Sequence, residues 1–198
     1  MVITANSTCS EPVTCSFSVV ITDNTPPTIT CPADQTIAAD VNCSGVVGAW
    51  APTAVADNCG TTNVSQAPAS NTALNGHNDA ELVTLTVNDG NGNSNSCSFN
   101  VTLKDVTPPT ITCPGNTTVA ADASCAGVVG GYMATSMDNC GSAPVTQSPV
   151  ASTTLNGHND SETVTLTATD VAGLTASCSF TVTLKDVTAP TITCPANA

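Results

Sequence analysis

Apolar residues along this chain recur at every second position over short runs. Val83, Leu85 and Val87 alternate with Thr84 and Thr86, and Cys97, Phe99, Val101 and Leu103 alternate with Ser98, Asn100 and Thr102. Val164 and Leu166, then Cys178, Phe180, Val182 and Leu184, repeat the pattern. A period of two predicts strands with one buried face, and no stretch holds the three-and-four spacing of a helix. Gly, Pro, Asn and Asp close each run after a few residues. The predicted strands of the first half are Thr28–Cys31, Thr36–Ala39, Gly45–Trp50, Thr62–Gln66, Leu82–Val87 and Cys97–Leu103, with an edge strand near Asn71–Leu74. Six or seven short strands in this length predict an all-β, two-sheet sandwich of immunoglobulin type.

The pattern then repeats as a block. Asp23-Asn24-Thr25-Pro26-Pro27-Thr28-Ile29-Thr30-Cys31-Pro32 returns 82 residues on, from Asp105 to Pro114, and again 81 residues later from Asp186 to Pro195. Asp57-Asn58-Cys59 returns as Asp138-Asn139-Cys140, and Leu74-Asn75-Gly76-His77-Asn78-Asp79 as Leu155 to Asp160. A fixed period of this length marks a tandem array of one folded unit. The expected division is residues 23–104 and 105–185 as complete units. Residues 1–22 then read as the closing strands of a preceding unit, and residues 186–198 as the first strand of a following one. Pro26-Pro27 and Pro108-Pro109 restrict the backbone on entry to each unit, so the joints are expected to be semi-rigid.

Composition narrows the function. Two Lys, no Arg and 15 acidic residues leave a net charge of −13. Two cations are too few to meet a phosphate backbone or an anionic bilayer, which argues against nucleic acid and membrane surfaces as partners. No apolar run approaches the length of a membrane span. A poor Lys content with abundant Thr, Ser, Asn and Asp fits an extracellular or cell-surface protein that meets divalent cations, and equally a long array kept soluble by self-repulsion.

Eleven cysteines, four in each complete unit at matched spacings, read as a disulfide framework. Paired Cys-x-x-Cys and His spacings for zinc are absent. Of the three connectivities open to four cysteines, sandwich geometry favours Cys31–Cys43 and Cys59–Cys97, repeated as Cys113–Cys125 and Cys140–Cys178. Cys9–Cys15 is the expected bridge within residues 1–22.

Taken together, several motifs resemble the hyalin repeat, or HYR domain. They are Asp-x-Thr-Pro-Pro-x-Ile-x-Cys-Pro at Asp23 and Asp105, a lone Cys ahead of Val46-Val47 and Val128-Val129, Asp-Asn-Cys-Gly at Asp57 and Asp138, and Cys-Ser-Phe-x-Val at Cys97 and Cys178. The resemblance spans residues 23–185 and both flanks. It implies an immunoglobulin-like fold, an extracellular role in adhesion and no catalytic residues. A near-identical, Lys-poor array is also similar to the repeats of giant bacterial surface adhesins. The second unit departs at Asp170-Val171-Ala172-Gly173-Leu174, where the first has Asp89-Gly90-Asn91-Gly92-Asn93.

The best chemical candidate is a calcium site. Asp23 precedes the first strand, Asp57 and Asn58 lie in the loop after Gly45–Trp50, and Asp89, Asn91 and Asn93 occupy the last hairpin turn. In a sandwich these three segments meet at one end. Asp105, Asp138, Asn139 and Asp170 are the second set, the poorer for lacking two amides. Hard oxygen donors suit Ca²⁺, yet Asp and Asn are also ordinary turn formers. His77 and His158 read as solvated turn residues. No Gly-x-Ser-x-Gly turn or other nucleophile context occurs, and aromatics at 3% leave no platform for a sugar. The expected function is a non-enzymatic structural stalk of an extracellular adhesin or fibre, whose partners are neighbouring repeats. The alternatives are repeats that self-associate into a filament, repeats that bind a glycan or protein receptor directly, and an accessory module of a large secreted hydrolase.

Overall fold

The computed structural model describes residues 2–8 and 10–194, and among these residues it contains strands and no helix. β1 (Val2–Ser7) and β2 (Ser10–Ser16) form an antiparallel hairpin with Ile3 opposite Cys15. The first repeat carries β3 (Thr28–Thr30), β4 (Gln35–Ala38), β5 (Ser44–Val46), β6 (Ala54–Ala56), β7 (Asn63–Ala67), β8 (Ala73–Asn75), β9 (Ala80–Asn88) and β10 (Ser94–Lys104). The second follows with β11 (Thr110–Thr112), β12 (Thr117–Ala120), β13 (Ala126–Val128), β14 (Thr135–Met137), β15 (Val145–Ser148), β16 (Thr154–Asn156), β17 (Ser161–Thr169) and β18 (Thr175–Lys185).

Both repeats use one topology. A four-stranded sheet runs β4-β10-β9-β7 in the first and β12-β18-β17-β15 in the second. The other layer is made of the pairs β3-β6 and β5-β8, matched by β11-β14 and β13-β16. The opening strand is divided between layers: β11 pairs antiparallel with β14, and after Cys113-Pro114 the chain crosses so that β12 lies parallel to β18, Thr117 beside Val182. Pro114 has no N–H to continue the first ladder, which places the crossing there. These are tandem immunoglobulin-like sandwiches, as expected.

The alternation seen in the sequence becomes the core. Val164 and Leu166 of β17 face Phe180, Val182 and Leu184 of β18, with Val129 and Leu155 from the other layer, all at or below 4% exposure. In the first repeat Val83, Leu85, Val87, Phe99 and Val101 are buried in the same way. Gly127 lets the layers close, since a Cβ there would stand 2.5 Å from Leu184 Cδ1.

Trp50 falls outside its predicted strand. The predicted strand Gly45–Trp50 ends at Val46, and the aromatic sits between strands, edge-on to Phe99 at 5.5 Å; Tyr132 meets Phe180 at 4.9 Å. A glutamine replaces the missing ladder. Trp50 N donates to Gln66 Oε1, and Gln66 Nε2 donates to Gly48 O and Pro68 O. Gln147 does the same for Tyr132, Gly130 and Pro149. Buried backbone groups must be paired, and a single amide with both donor and acceptor can interrupt a strand without orphaning them. The strand β6 that resumes afterwards has no alternating signature of its own.

The disulfides correct the expected pairing. The bonds are Cys31–Cys97, Cys113–Cys178 and Cys43–Cys140, with Cα–Cα distances of 5.7, 5.7 and 4.8 Å. The expected Cys31–Cys43, Cys59–Cys97, Cys113–Cys125 and Cys140–Cys178 do not form; Cys59 and Cys125 are free, as are Cys15 and Cys194. Two features explain the difference. The strand β10 begins at Ser94, so Cys97 lies inside the sheet rather than in the loop beside Cys59, within reach of the end of β3. Cys43 stands in a turn with φ of 55° and reaches the Asp-Asn-Cys loop of the next repeat. Cys9 of the expected Cys9–Cys15 bridge lies outside the described residues.

The chain divides spatially into two compact units whose limits do not follow the repeats. One comprises Met1–Gln35, Val47–Thr72 and Glu81–Val101; the other comprises Thr36–Val46, Ala73–Ala80 and Thr102–Ala198. The Cys43–Cys140 bond therefore belongs within the second unit, which holds one pole of the first repeat with the whole of the second.

Candidate metal centres

Each candidate centre is assembled from three loops that begin with an aspartate. In the entry segment, Asp105 Oδ1 accepts from Thr107 N at 3.0 Å, as Asp23 Oδ1 does from Thr25 N at 3.0 Å. In the loop after β14, Asp138 Oδ2 accepts from Cys140 N at 2.7 Å, and after β6 Asp57 Oδ2 accepts from Cys59 N at 2.9 Å. In the last hairpin turn, Asp170 Oδ1 accepts from Ala172 N and Leu174 N, both at 2.8 Å. Every aspartate thus closes its own turn with one oxygen, as short polar side chains do. The second oxygen is left for something else.

The carboxylates converge. Asp23, Asp57 and Asp89 place carboxylate oxygens within 4.8 Å of one another, and Asp105, Asp138 and Asp170 do so in the second repeat. Asp89, Asp105 and Asp170 are 3%, 5% and 7% exposed.

The two centres differ in how those oxygens are satisfied. In the first, Asn93 Nδ2 donates to Asp89 Oδ2 at 2.6 Å and to Asp23 O at 3.2 Å, while Asn91 Nδ2 donates to Cys59 O at 2.9 Å and Asp23 Oδ2 at 3.4 Å. Only Asp57 Oδ1 is left buried without a partner at that centre. In the second, Leu174 stands where Asn93 would be, and Asp105 Oδ2, Asp138 Oδ1, Asn139 Oδ1 and Asp170 Oδ2 are all buried and unpartnered. Asn91 and Asn93, expected among the ligands of the first centre, present amide donors to Asp23 and Asp89. Asn58 turns its amide to Cys59 Sγ and stays exposed.

Asp89 carries the consequence in its titration. Burial alone would push its carboxyl up. The Asn93 side chain and the N–H groups of Asn91, Gly92 and Asn93 together outweigh that and hold it below the usual carboxylate value.

One contributor escaped the sequence reading. His77, expected to be solvated, is half-buried, and its Nδ1 accepts from Asp105 N at 3.0 Å, which fixes the backbone of a triad residue. His158 holds Asp186 N identically. The available signal was a constant separation of 28 residues from each His to the Asp of the following Thr-Pro motif. The same turns take both cations of the chain, Lys104 on Asn78 and Lys185 on Asn159.

Tandem immunoglobulin-like sandwiches, cross-linked by disulfides and headed by acidic triads, define the chain as a tandem repeat module. The sequence profile of the HYR domain matches residues 22–103 and 104–184, and the chain belongs to that family. It is 30% identical over 203 residues to hyalin of Strongylocentrotus purpuratus, covering 95% of this chain and 16% of hyalin. Family and relative point to an adhesion-type module of the extracellular space or cell surface. Among solved structures it is similar to protocadherin gammaB7 EC3-6 (TM-score 0.38, 17% identity, 93% of this chain and 57% of that one). It is also similar to the fibronectin(III)-like modules of Clostridium thermocellum CbhA (TM-score 0.32, 13% identity, 81% and 94%).

Proposed function

We propose that this chain is a structural stalk segment of an extracellular adhesin or fibre, whose repeats supply length and are stiffened by Ca²⁺ chiefly at the head of the second sandwich. Repeats of residues 23–104 and 105–185 each hold one acidic triad. The observation that carries the reading is the second triad, where four buried oxygens of Asp105, Asp138, Asn139 and Asp170 have no partner. A buried anionic oxygen without a donor costs several kcal/mol, and hard oxygens in this number suit Ca²⁺. A bound divalent cation would supply positive charge to neutralise the three carboxylates. Asp105 then anchors the entry segment, Asp138 and Asp170 anchor the two loops, and His77 and the turn aspartate contacts keep all three in place. The entry segment is thereby tied to the sandwich that follows it.

The test is calorimetric titration of Ca²⁺ into chelator-treated protein. We expect saturable binding dominated by one centre, abolished in Asp138→Asn and retained in Asp57→Asn. Absence of binding in the wild type, or equal loss in both variants, overturns the reading.

A further inference from the structure

Cys43 and Cys140 are bonded across successive repeats, while their counterparts by repeat position, Cys125 and Cys59, are free. Both free cysteines keep the geometry of the bonded ones. Cys125 has φ of 58° against 55° at Cys43, and its N–H bonds Asp122 O at 3.0 Å as that of Cys43 bonds Asp40 O at 3.0 Å. Cys59 N donates to Asp57 Oδ2, Asn58 Nδ2 approaches Cys59 Sγ at 3.4 Å, and Gly60 has φ of 135°. At Cys140 the same three features recur, with 3.5 Å to Asn139 and 140° at Gly141. Neither half has to rearrange to form a bond.

The surfaces around them complete the argument. Where Cys43 is bonded, the loop Met137-Asp138-Asn139 lines a cleft of about 350 Å³ together with Val41 and the segment Thr107 to Thr110, and Asn139 Nδ2 donates to Asp40 O at 2.9 Å. At Cys125 the equivalent walls are present, Asp122 and Ala123 on one side and Asp186, Thr188 and Thr191 on the other. Among the described residues no loop lies between them, and the cleft widens to about 620 Å³. At Cys59 the loop side exists alone: Thr25, Pro26, Thr28, Ala56, Asp57 and Asn58 line a cleft of about 310 Å³ that lacks only a residue in the place of Val41. The three clefts are one interface, once closed and twice half-built.

We infer that Cys59 and Cys125 are open halves of a repeat-to-repeat disulfide. Cys125 takes the Asp-Asn-Cys-Gly loop of an adjoining tandem repeat on one side, and Cys59 takes the Asp-to-Cys turn of an adjoining repeat on the other. An array built this way is covalently stapled at each junction, in addition to the bond inside each sandwich. The bond forms by thiol–disulfide exchange. One thiolate attacks glutathione disulfide and expels a glutathione thiolate, and the second cysteine then displaces the bound glutathione. The two protein thiols lose two electrons and two protons, and one glutathione disulfide becomes two thiols. The inference goes beyond the calcium reading and stands without it.

The test extends the chain by one tandem copy of residues 105–185 inserted after Lys185, refolds it in a glutathione redox buffer and maps disulfides by peptide mass spectrometry. We expect Cys125 bonded to the inserted copy of Cys140, and that copy becoming alkylatable in Cys125→Ser while Cys113–Cys178 persists. Cys125 remaining alkylatable, or bonded to Cys59 or to a second chain, overturns the inference. The unextended chain provides a check independent of the insertion. Cys59 and Cys125 should alkylate fully without reductant while Cys43 and Cys140 do not; a Cys59–Cys125 bond, or free Cys43, overturns it.

Discussion

Replacing Asp170 by Asn should stabilise the protein in chelator and destabilise it in calcium. The side chain keeps its shape, and its remaining oxygen still accepts from Ala172 N and Leu174 N. What changes is the unpartnered Oδ2, which becomes an amide donor facing Asp105 and Asp138. At 4.8 Å, the outer limit of the triad, two like charges repel by about 3.5 kcal/mol at an effective dielectric near 20. Removing Asp170 relieves two such pairs. Asp138 is only half-buried, and solvent screening brings the relief down to roughly 2–4 kcal/mol. For a domain of this size each kcal/mol moves the melting temperature by several degrees, so the variant should melt about 10 °C above wild type in chelator. In calcium the order should reverse. The wild type gains about 2.7 kcal/mol at a hundredfold excess over Kd, and the variant, lacking a ligand, gains little. The first repeat already carries this arrangement, with Asn93 Nδ2 on Asp89 Oδ2. Scanning calorimetry of both proteins in both conditions reads the sign. A variant that melts below wild type in chelator refutes the argument, since the triad would then not be repulsive.

Three further expectations follow from other parts of the molecule. Asp89 sits below the usual carboxylate value when folded, so the unfolded chain protonates first. Its stabilisation is present above about pH 4 and is lost as the pH falls through the folded value. Acid unfolding followed by the fluorescence of Trp50, the sole Trp, should shift to higher pH in Asn93→Leu, and an unchanged midpoint would remove Asn93 from the account. Cys140→Ser opens the bond to Cys43, 97 residues away in sequence, and should cost roughly 4 kcal/mol by chain entropy. Cys59→Ser should cost nothing measurable by denaturant titration. Gly127→Ala drives a Cβ to 2.5 Å from Leu184 Cδ1 and should cost about 1–3 kcal/mol by overpacking. A neutral result there would mean that the layers can part.

Local chemistry carried much of this protein in legible form. Alternating Val, Leu, Phe and Thr can bury an apolar face only as strands, so the long pair β17-β18 and its core were readable residue by residue. The repeat period carried the tandem architecture, and Asp in Asx-type turns beside three loops of one pole carried the triads. Everything decided by the mutual placement of distant segments lay outside that reading. Cysteine pairing depends on which Cα atoms come within about 6 Å, and Cys43 finds its partner in the following repeat rather than its own. Gln66 could be known as the surrogate for a broken ladder only once Trp50 had turned into the core. Asn91 and Asn93 look like oxygen ligands in a string of letters, but an amide offers a donor or an acceptor according to what faces it. Facing Asp23 and Asp89, it donates. The tertiary structure therefore decided which acidic cluster keeps its oxygens unpaired, because an unpaired oxygen is a property of its surroundings and not of the residue that bears it.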